Sequence, residues 1–191
     1  RTIVGTLQRA AATHGDREAI VMGAQRLTYL DVLREARRHA AALRGLGIEP
    51  GQHVGILMPN CLDYLLLFYG CALLGARPVH LNSRYRREDL RYVIADSDIR
   101  VLFTSAKQRE HTDYAAMLRD LYPVLDDWRY GEPLQLDDAP LLGTLFDFHT
   151  GGATAWGSET QFFAGATDVE QTLPRVDPED IGLIMYTSGT T

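Results

Sequence analysis

Apolar residues at Ile3, Val4, Leu7 and Ala11 recur at helical spacing and stop at His14-Gly15-Asp16, which predicts a first helix over 3–13. Two short strand-like runs, 19–22 and 26–29, flank Gly23-Ala24-Gln25 and predict a hairpin. Thr28, followed three residues later by Asp31, has the form of a capping box. From Tyr29 to Leu46, the positions Leu30, Leu33, Ala36, Ala40, Leu43 and Leu46 fall on one face of a long helix that Gly47 ends.

Past Glu49-Pro50-Gly51 the period changes. The run HVGILMPN reads as a buried strand that breaks at Met58-Pro59-Asn60. The stretch from Leu62 to Gly75 predicts an apolar helix, and its core run from Tyr64 to Ala76 spans about 20 Å against a hydrocarbon thickness of about 30 Å. It is therefore a buried helix and not a membrane span. A strand over 77–81, a helix over 86–96 with Leu90, Val93 and Ile94 inward, and a strand over 100–104 follow. Strand, helix, strand, helix, strand at this spacing predicts an α/β chain with a parallel, helix-covered sheet. Further on the pattern weakens: a helix over 110–121 and strands over 141–146 and 181–186 are expected, and 123–172 otherwise shows no period. The last strand runs into Thr187, Ser188, Gly189, Thr190 and Thr191.

Composition narrows what such a body could do. Of 191 residues 46% are hydrophobic, too many for a disordered chain, and the net charge of −6 argues against a nucleic-acid partner. Cys61 and Cys71, ten apart in apolar sequence, read as buried reduced thiols, pointing to the cytoplasm. The opening residues carry charges throughout and form no signal peptide, while Arg1 in place of methionine suggests that residues precede it. Of the 19 basic residues only Lys107 is lysine, and its place after a strand marks it as a surface residue.

Chemistry-bearing patterns are few. His14, His39, His53, His80, His111 and His149 form no metal-ligand spacing; His80, after a strand, is read as structural, with contact to an acyl group or CoA as the sharper alternative. Arg84, Arg86, Arg87 and Arg91 are interleaved with Glu88 and Asp89 and read as a solvated helix start. Asp126, Asp127, Asp137 and Asp138 read as loop acids, not a paired general acid and base, and the serine-hydrolase pattern G-x-S-x-G is absent. What remains is the closing segment. A hydroxyl-rich, glycine-containing loop leaving an apolar strand can bring backbone N–H groups and short hydroxyls onto phosphate oxygens, although neither G-x-x-x-x-G-K-[ST] nor G-x-G-x-x-G occurs.

With MYTSGTT at its end, RLTYLDV at 26–32 and LLGARPVHLNSRY at 73–85, in that order, the chain resembles the adenylate-forming (AMP-binding) superfamily, in its acyl-CoA synthetase branch. GDREAIV and GIEPGQHVGILMPN are similar to family sequence too, while His80 and Ser83 stand where many relatives carry proline. Asn82 with Arg84-Tyr85 is closer to fatty-acyl or aryl CoA ligases than to peptide-synthetase domains.

The resemblance implies an incomplete parallel, helix-covered sheet from an N-terminal domain, with early helices and a hairpin over 1–49 and a first α/β subdomain over 50–191. It implies that Thr187, Ser188, Gly189, Thr190 and Thr191 hold ATP phosphates, and that no catalytic residue and no metal ligand lies within these residues. ATP, Mg²⁺ and CoA are implied for the full-length enzyme, with a small-molecule carboxylic acid as substrate, no nucleic acid and no membrane span, and with oligomer formation left open. The implied reaction is activation of a fatty acid through an acyl adenylate, then thioester formation with CoA, the 191 residues alone being inactive. Aryl-acid CoA ligase, acyl-AMP ligase, or a non-catalytic nucleotide- or partner-binding fragment stand as alternatives.

Overall fold

The computed structural model describes residues 2–107, 111–151, 154–166 and 173–187. The chain divides into two compact units that interleave in sequence: Arg1–Gly51, Asn60–Arg77 and Phe163–Gly182 form the first, and Gln52–Pro59, Pro78–Phe162 and Leu183–Thr191 form the second.

The first unit is helical. Helix α1 (Ile3–His14) starts at Thr2, whose hydroxyl accepts the Gly5 N–H at 2.9 Å. Strands β1 (Glu18–Met22) and β2 (Gln25–Thr28) make the expected antiparallel hairpin, and Gly23 supplies the positive φ of its turn. Helix α2 (Tyr29–Gly45) opens with the predicted capping box: Asp31 donates its N–H to Thr28 Oγ1 at 3.1 Å, while the Asp31 carboxylate accepts the Thr28 N–H at 3.0 Å. Those bonds to Thr28 hold the Asp31 carboxyl below its ordinary range. Helix α3 (Leu62–Leu74) is apolar on nearly every face, as a buried helix must be, and stops at Gly75 with φ 73°.

One expectation for α2 needs correcting. Leu30 lies 48% exposed, and the buried surface is Val32, Leu33, Ala36, His39 and Ala40 to Leu43. The helix buries more than one face because α3 packs along it, so a single stripe underestimates the contact.

The second unit is a five-stranded sheet in the order β6-β5-β3-β4-β7. Its strands are β3 (His53–Leu57), β4 (Arg77–His80), β5 (Ile99–Ser105), β6 (Thr144–Phe148) and β7 (Ile184–Met185). The pairs β3 with β5, β5 with β6, and β4 with β7 are parallel, and the α/β sheet with helical crossovers is the architecture the sequence predicts. Helices α4 (Arg87–Asp96) and α5 (Tyr114–Leu121) cover one face, burying Leu90, Val93, Ile94 and Leu118 with Leu57, Leu102 and Leu145 from the strands. On the other face Phe103 stacks on Phe146 at 5.1 Å, and Phe148 joins them with Phe162 of α6 (Glu159–Ala164). Neither α6 nor the 3₁₀ turn at Pro123–Asp126 was expected.

The elements beyond Ser105 also shift. α5 begins at Tyr114, not near 110, because Asp113 accepts the Ala116 N–H and caps it there. The strand expected at 141–146 lies at 144–148: Leu141 is exposed, and the ladder starts once Gly143 donates its N–H to the Arg100 carbonyl. The strand expected at 181–186 is only two residues long, with Ile181 and Leu183 exposed before it.

Candidate phosphate-binding edge

Parallel sheets bind ligands at the carboxyl ends of their strands, often where the chain reverses its winding, here between β3 and β5. The hydroxyl-rich segment follows in sequence from the carboxyl end of β7, the last strand in the order among the described residues. Thr187, two residues past the strand, is exposed. Ser188, Gly189, Thr190 and Thr191 lie outside the described residues.

The root of that segment is held by side chains from both ends of α4. Asn82 turns the chain after β4, taking the Arg84 N–H on its side-chain oxygen at 2.9 Å and the Tyr85 N–H on its carbonyl at 3.0 Å. Tyr85, placed by this turn, donates its hydroxyl to the Tyr186 carbonyl at 3.0 Å. The Tyr186 hydroxyl donates in turn to the Asp96 carboxylate at 2.7 Å, and Tyr92 meets the Tyr186 ring edge-on at 6.3 Å. Burial first, and then the bond to Asp96, push the Tyr186 hydroxyl well above its ordinary value, so it stays a donor through the neutral range. Of this group, sequence reading had noted Arg84-Tyr85 and the terminal Tyr186 as motif letters and missed Asp96 altogether. A lone acid on the last turn of a helix carries no signal until the fold brings a strand beside it.

His80 ends β4 opposite Met185 of β7, is 8% exposed, and is held by burial below its ordinary value. Lys107 is half-buried and donates its backbone N–H to Ser105 Oγ, just past β5. Since β5 stands three strands from β7, roughly 14 Å separates their lines across the sheet, beyond the reach of one lysine side chain. Of the arginines near α4, Arg91 pairs with Asp138 at 2.6 Å and Arg87 with Asp120 at 3.0 Å. Asp126 faces Arg119 at 3.7 Å. Both cysteines are buried and neither is in a disulfide, and burial pushes the Cys71 thiol up. Among the described residues no three His, Cys, Asp or Glu converge as a metal site. A Mg²⁺ arriving with a nucleotide would draw its ligands chiefly from phosphates and water. Nor, among the described residues, is any helix long and apolar enough to cross a membrane.

The sheet and its helical crossovers define an α/β class. The AMP-binding enzyme family model matches residues 7–191, and the chain belongs to that family. It is 26% identical over its whole length to a long-chain-fatty-acid–CoA ligase of Bacillus subtilis, covering 35% of that protein. The N-terminal domain of FACL13 from Mycobacterium tuberculosis matches 98% of the chain, which covers 42% of it, at 27% identity and a TM-score of 0.70. The anthranilate CoA ligase AuaEII, solved with anthranoyl-AMP, matches the fold over the whole chain at 21% identity and a TM-score of 0.81, with 33% of that protein covered. The chain thus spans about a third of the length of the curated relatives it matches.

Proposed function

We propose that the chain is the opening part of an ATP-dependent ligase that activates a carboxylic acid as its adenylate and passes the acyl group to CoA, with a fatty acid as substrate. One observation carries this reading: in a chain matched to the AMP-binding enzymes from residue 7 to its end, a Thr-Ser-Gly-Thr-Thr segment leaves the carboxyl end of a parallel edge strand. In the first half-reaction a substrate carboxylate oxygen bonds to the α-phosphorus of ATP while the bond to the pyrophosphate oxygen breaks, and pyrophosphate leaves. In the second the CoA sulfur, as thiolate, bonds to the acyl carbon and AMP departs with the electron pair. Neither step needs a covalent protein intermediate, so the protein acts by positioning and by neutralising charge. Thr187, Ser188, Gly189, Thr190 and Thr191 have the role of cradling the β- and γ-phosphates. That one relative is a long-chain-fatty-acid–CoA ligase supports the fatty-acid assignment, while Asn82 and Arg84-Tyr85 favour a fatty-acyl or aryl CoA ligase over a peptide-synthetase domain.

ATP–pyrophosphate exchange against a panel of carboxylic acids tests the reading. A protein carrying the reading frame on to the relatives' length exchanges with fatty acids. The 191-residue chain shows no exchange above a Ser188→Ala, Thr190→Ala control, since its one lysine follows β5 and not β7. Exchange with aryl acids only would move the assignment to an aryl-acid CoA ligase, and exchange with none would remove it.

A further inference from the structure

Strand β7 is a weak place to root a loop that must hold charge. Two residues pair with β4, Val79 with Ile184 and His80 with Met185, and among the described residues no strand borders β7 on its other side. A pairing of two residues frays easily, and a phosphate cradle loses its value if its donors are not already in place when the nucleotide arrives. Yet the next residue, Tyr186, is fastened twice: its carbonyl accepts from Tyr85 and its hydroxyl donates to Asp96. The two fasteners come from opposite ends of α4, with Tyr85 just before the helix and Asp96 its last residue. One rigid helix therefore fixes both the main chain and the side chain of the residue preceding Thr187.

We propose that Tyr85 and Asp96 are positioning residues that clamp Tyr186 to α4 and so preset the root of the phosphate loop for ATP. The proposal rests on the assignment of residues 187–191 to phosphate binding. Neither residue touches the nucleotide in this scheme; each acts through Tyr186. The clamp is built for a constant grip: the Tyr85 hydroxyl, raised by burial and then by the nearby Asp89, and the Tyr186 hydroxyl both keep their protons at neutral pH. The edge-on contact of Tyr92 fixes the Tyr186 ring between them.

The test uses the protein at the relatives' length, with Tyr85→Phe, Tyr186→Phe, Asp96→Ala and Asp96→Asn. Tyr85→Phe and Tyr186→Phe each remove one hydroxyl and keep the ring, so folding is preserved. Two readouts are taken: hydrogen exchange of the peptide covering 183–187, and pyrophosphate-exchange kinetics with ATP and acid varied separately. Tyr85→Phe, Tyr186→Phe and Asp96→Ala are each expected to speed amide exchange at 184–187 by about fivefold, the worth of one hydrogen bond, while β3 and β5 keep wild-type protection. The same variants raise KM for ATP by about fivefold and leave KM for the acid within about twofold. Asp96→Asn keeps an acceptor oxygen and restores most of both. Unchanged protection at 184–187 overturns the proposal, as does an equal rise in both KM values. If the wild-type protein exchanges pyrophosphate with no acid, the proposed function fails, and the clamp is judged by hydrogen exchange alone: faster exchange at 184–187 upholds it and unchanged exchange removes it.

Discussion

The two units are held together by opposite means. In the helical unit the contacts are close because the residues are small: Ala36, Ala40 and Ala42 are fully buried on α2, and a Cβ at Gly70 of α3 would lie 2.6 Å from the His39 Cβ. At the end of α2, a Cβ on Gly45 would fall 2.0 Å from the Gly165 carbonyl oxygen. In the sheet unit the interior is filled by bulk, with Phe103, Phe146, Phe148 and Phe162 on one face and Trp128 and Trp156 on the other. Where a glycine there is tight, as at Gly55, the nearest atom is the tip of the Leu102 side chain, which can move. Gly157, set under the Phe146 ring, is the exception. The lesson concerns the sign of damage: the first unit should fail when atoms are added, and the second when they are removed.

Phe146→Ala is the strongest test, since it empties the centre of the aromatic layer. A loss of about 3–5 kcal/mol is expected in urea unfolding, read by the emission of Trp128 and Trp156, both in the sheet unit. Gly70→Ala should cost about 1–3 kcal/mol from the helical unit, because α2 and α3 must part to admit one methyl group. A stabilising Gly70→Ala would break the comparison outright. Acid comes next. Burial holds His39 below its ordinary value, and His80 likewise, so the unfolded chain takes up protons first as pH falls. Stability is therefore full above about pH 6.5 and declines below it, by no more than about 1.4 kcal/mol per pH unit for each histidine. His39→Gln should flatten that decline in the helical unit and leave it in the sheet unit, as followed by thermal melting at pH 7.5 and 5.5. Thr28→Ala, removing the cap hydroxyl of α2, should cost about 1 kcal/mol. Smallest of all, Arg26→Ala breaks an exposed pair with Glu18 and should change the melting midpoint scarcely at all.

The same contrast decides what could be read before the fold was known. Elements whose own sequence closes them were legible: Thr28 with Asp31, Gly75 after Leu74, and the continuous apolar run of β3 each state a boundary locally. β6 and β7 were misplaced because their limits are set by partners. β6 starts where Arg100 offers a carbonyl to Gly143, and β7 is only the two residues that pair with Val79 and His80, facts that no window of residues contains. The site divides the same way. Its hydroxyl-rich segment was visible as composition and as family motif, whereas Asp96 and the second role of Tyr85 depend on hydrogen bonds spanning 90 and 101 residues of chain.

The position of the two tryptophans has a practical consequence. Both belong to the sheet unit, where Trp128 is 4% exposed and Trp156 1%, the latter donating its indole N–H to the Leu125 carbonyl under the guanidinium of Arg119. The described part of the helical unit absorbs through tyrosine instead, at Tyr29, Tyr64 and Tyr69. Excitation at the red edge of the ultraviolet band therefore lights one unit and leaves the other dark. A shift of emission reports the sheet opening, while far-ultraviolet ellipticity weights the helices, so the protein comes with a built-in optical means of asking whether its two units melt together.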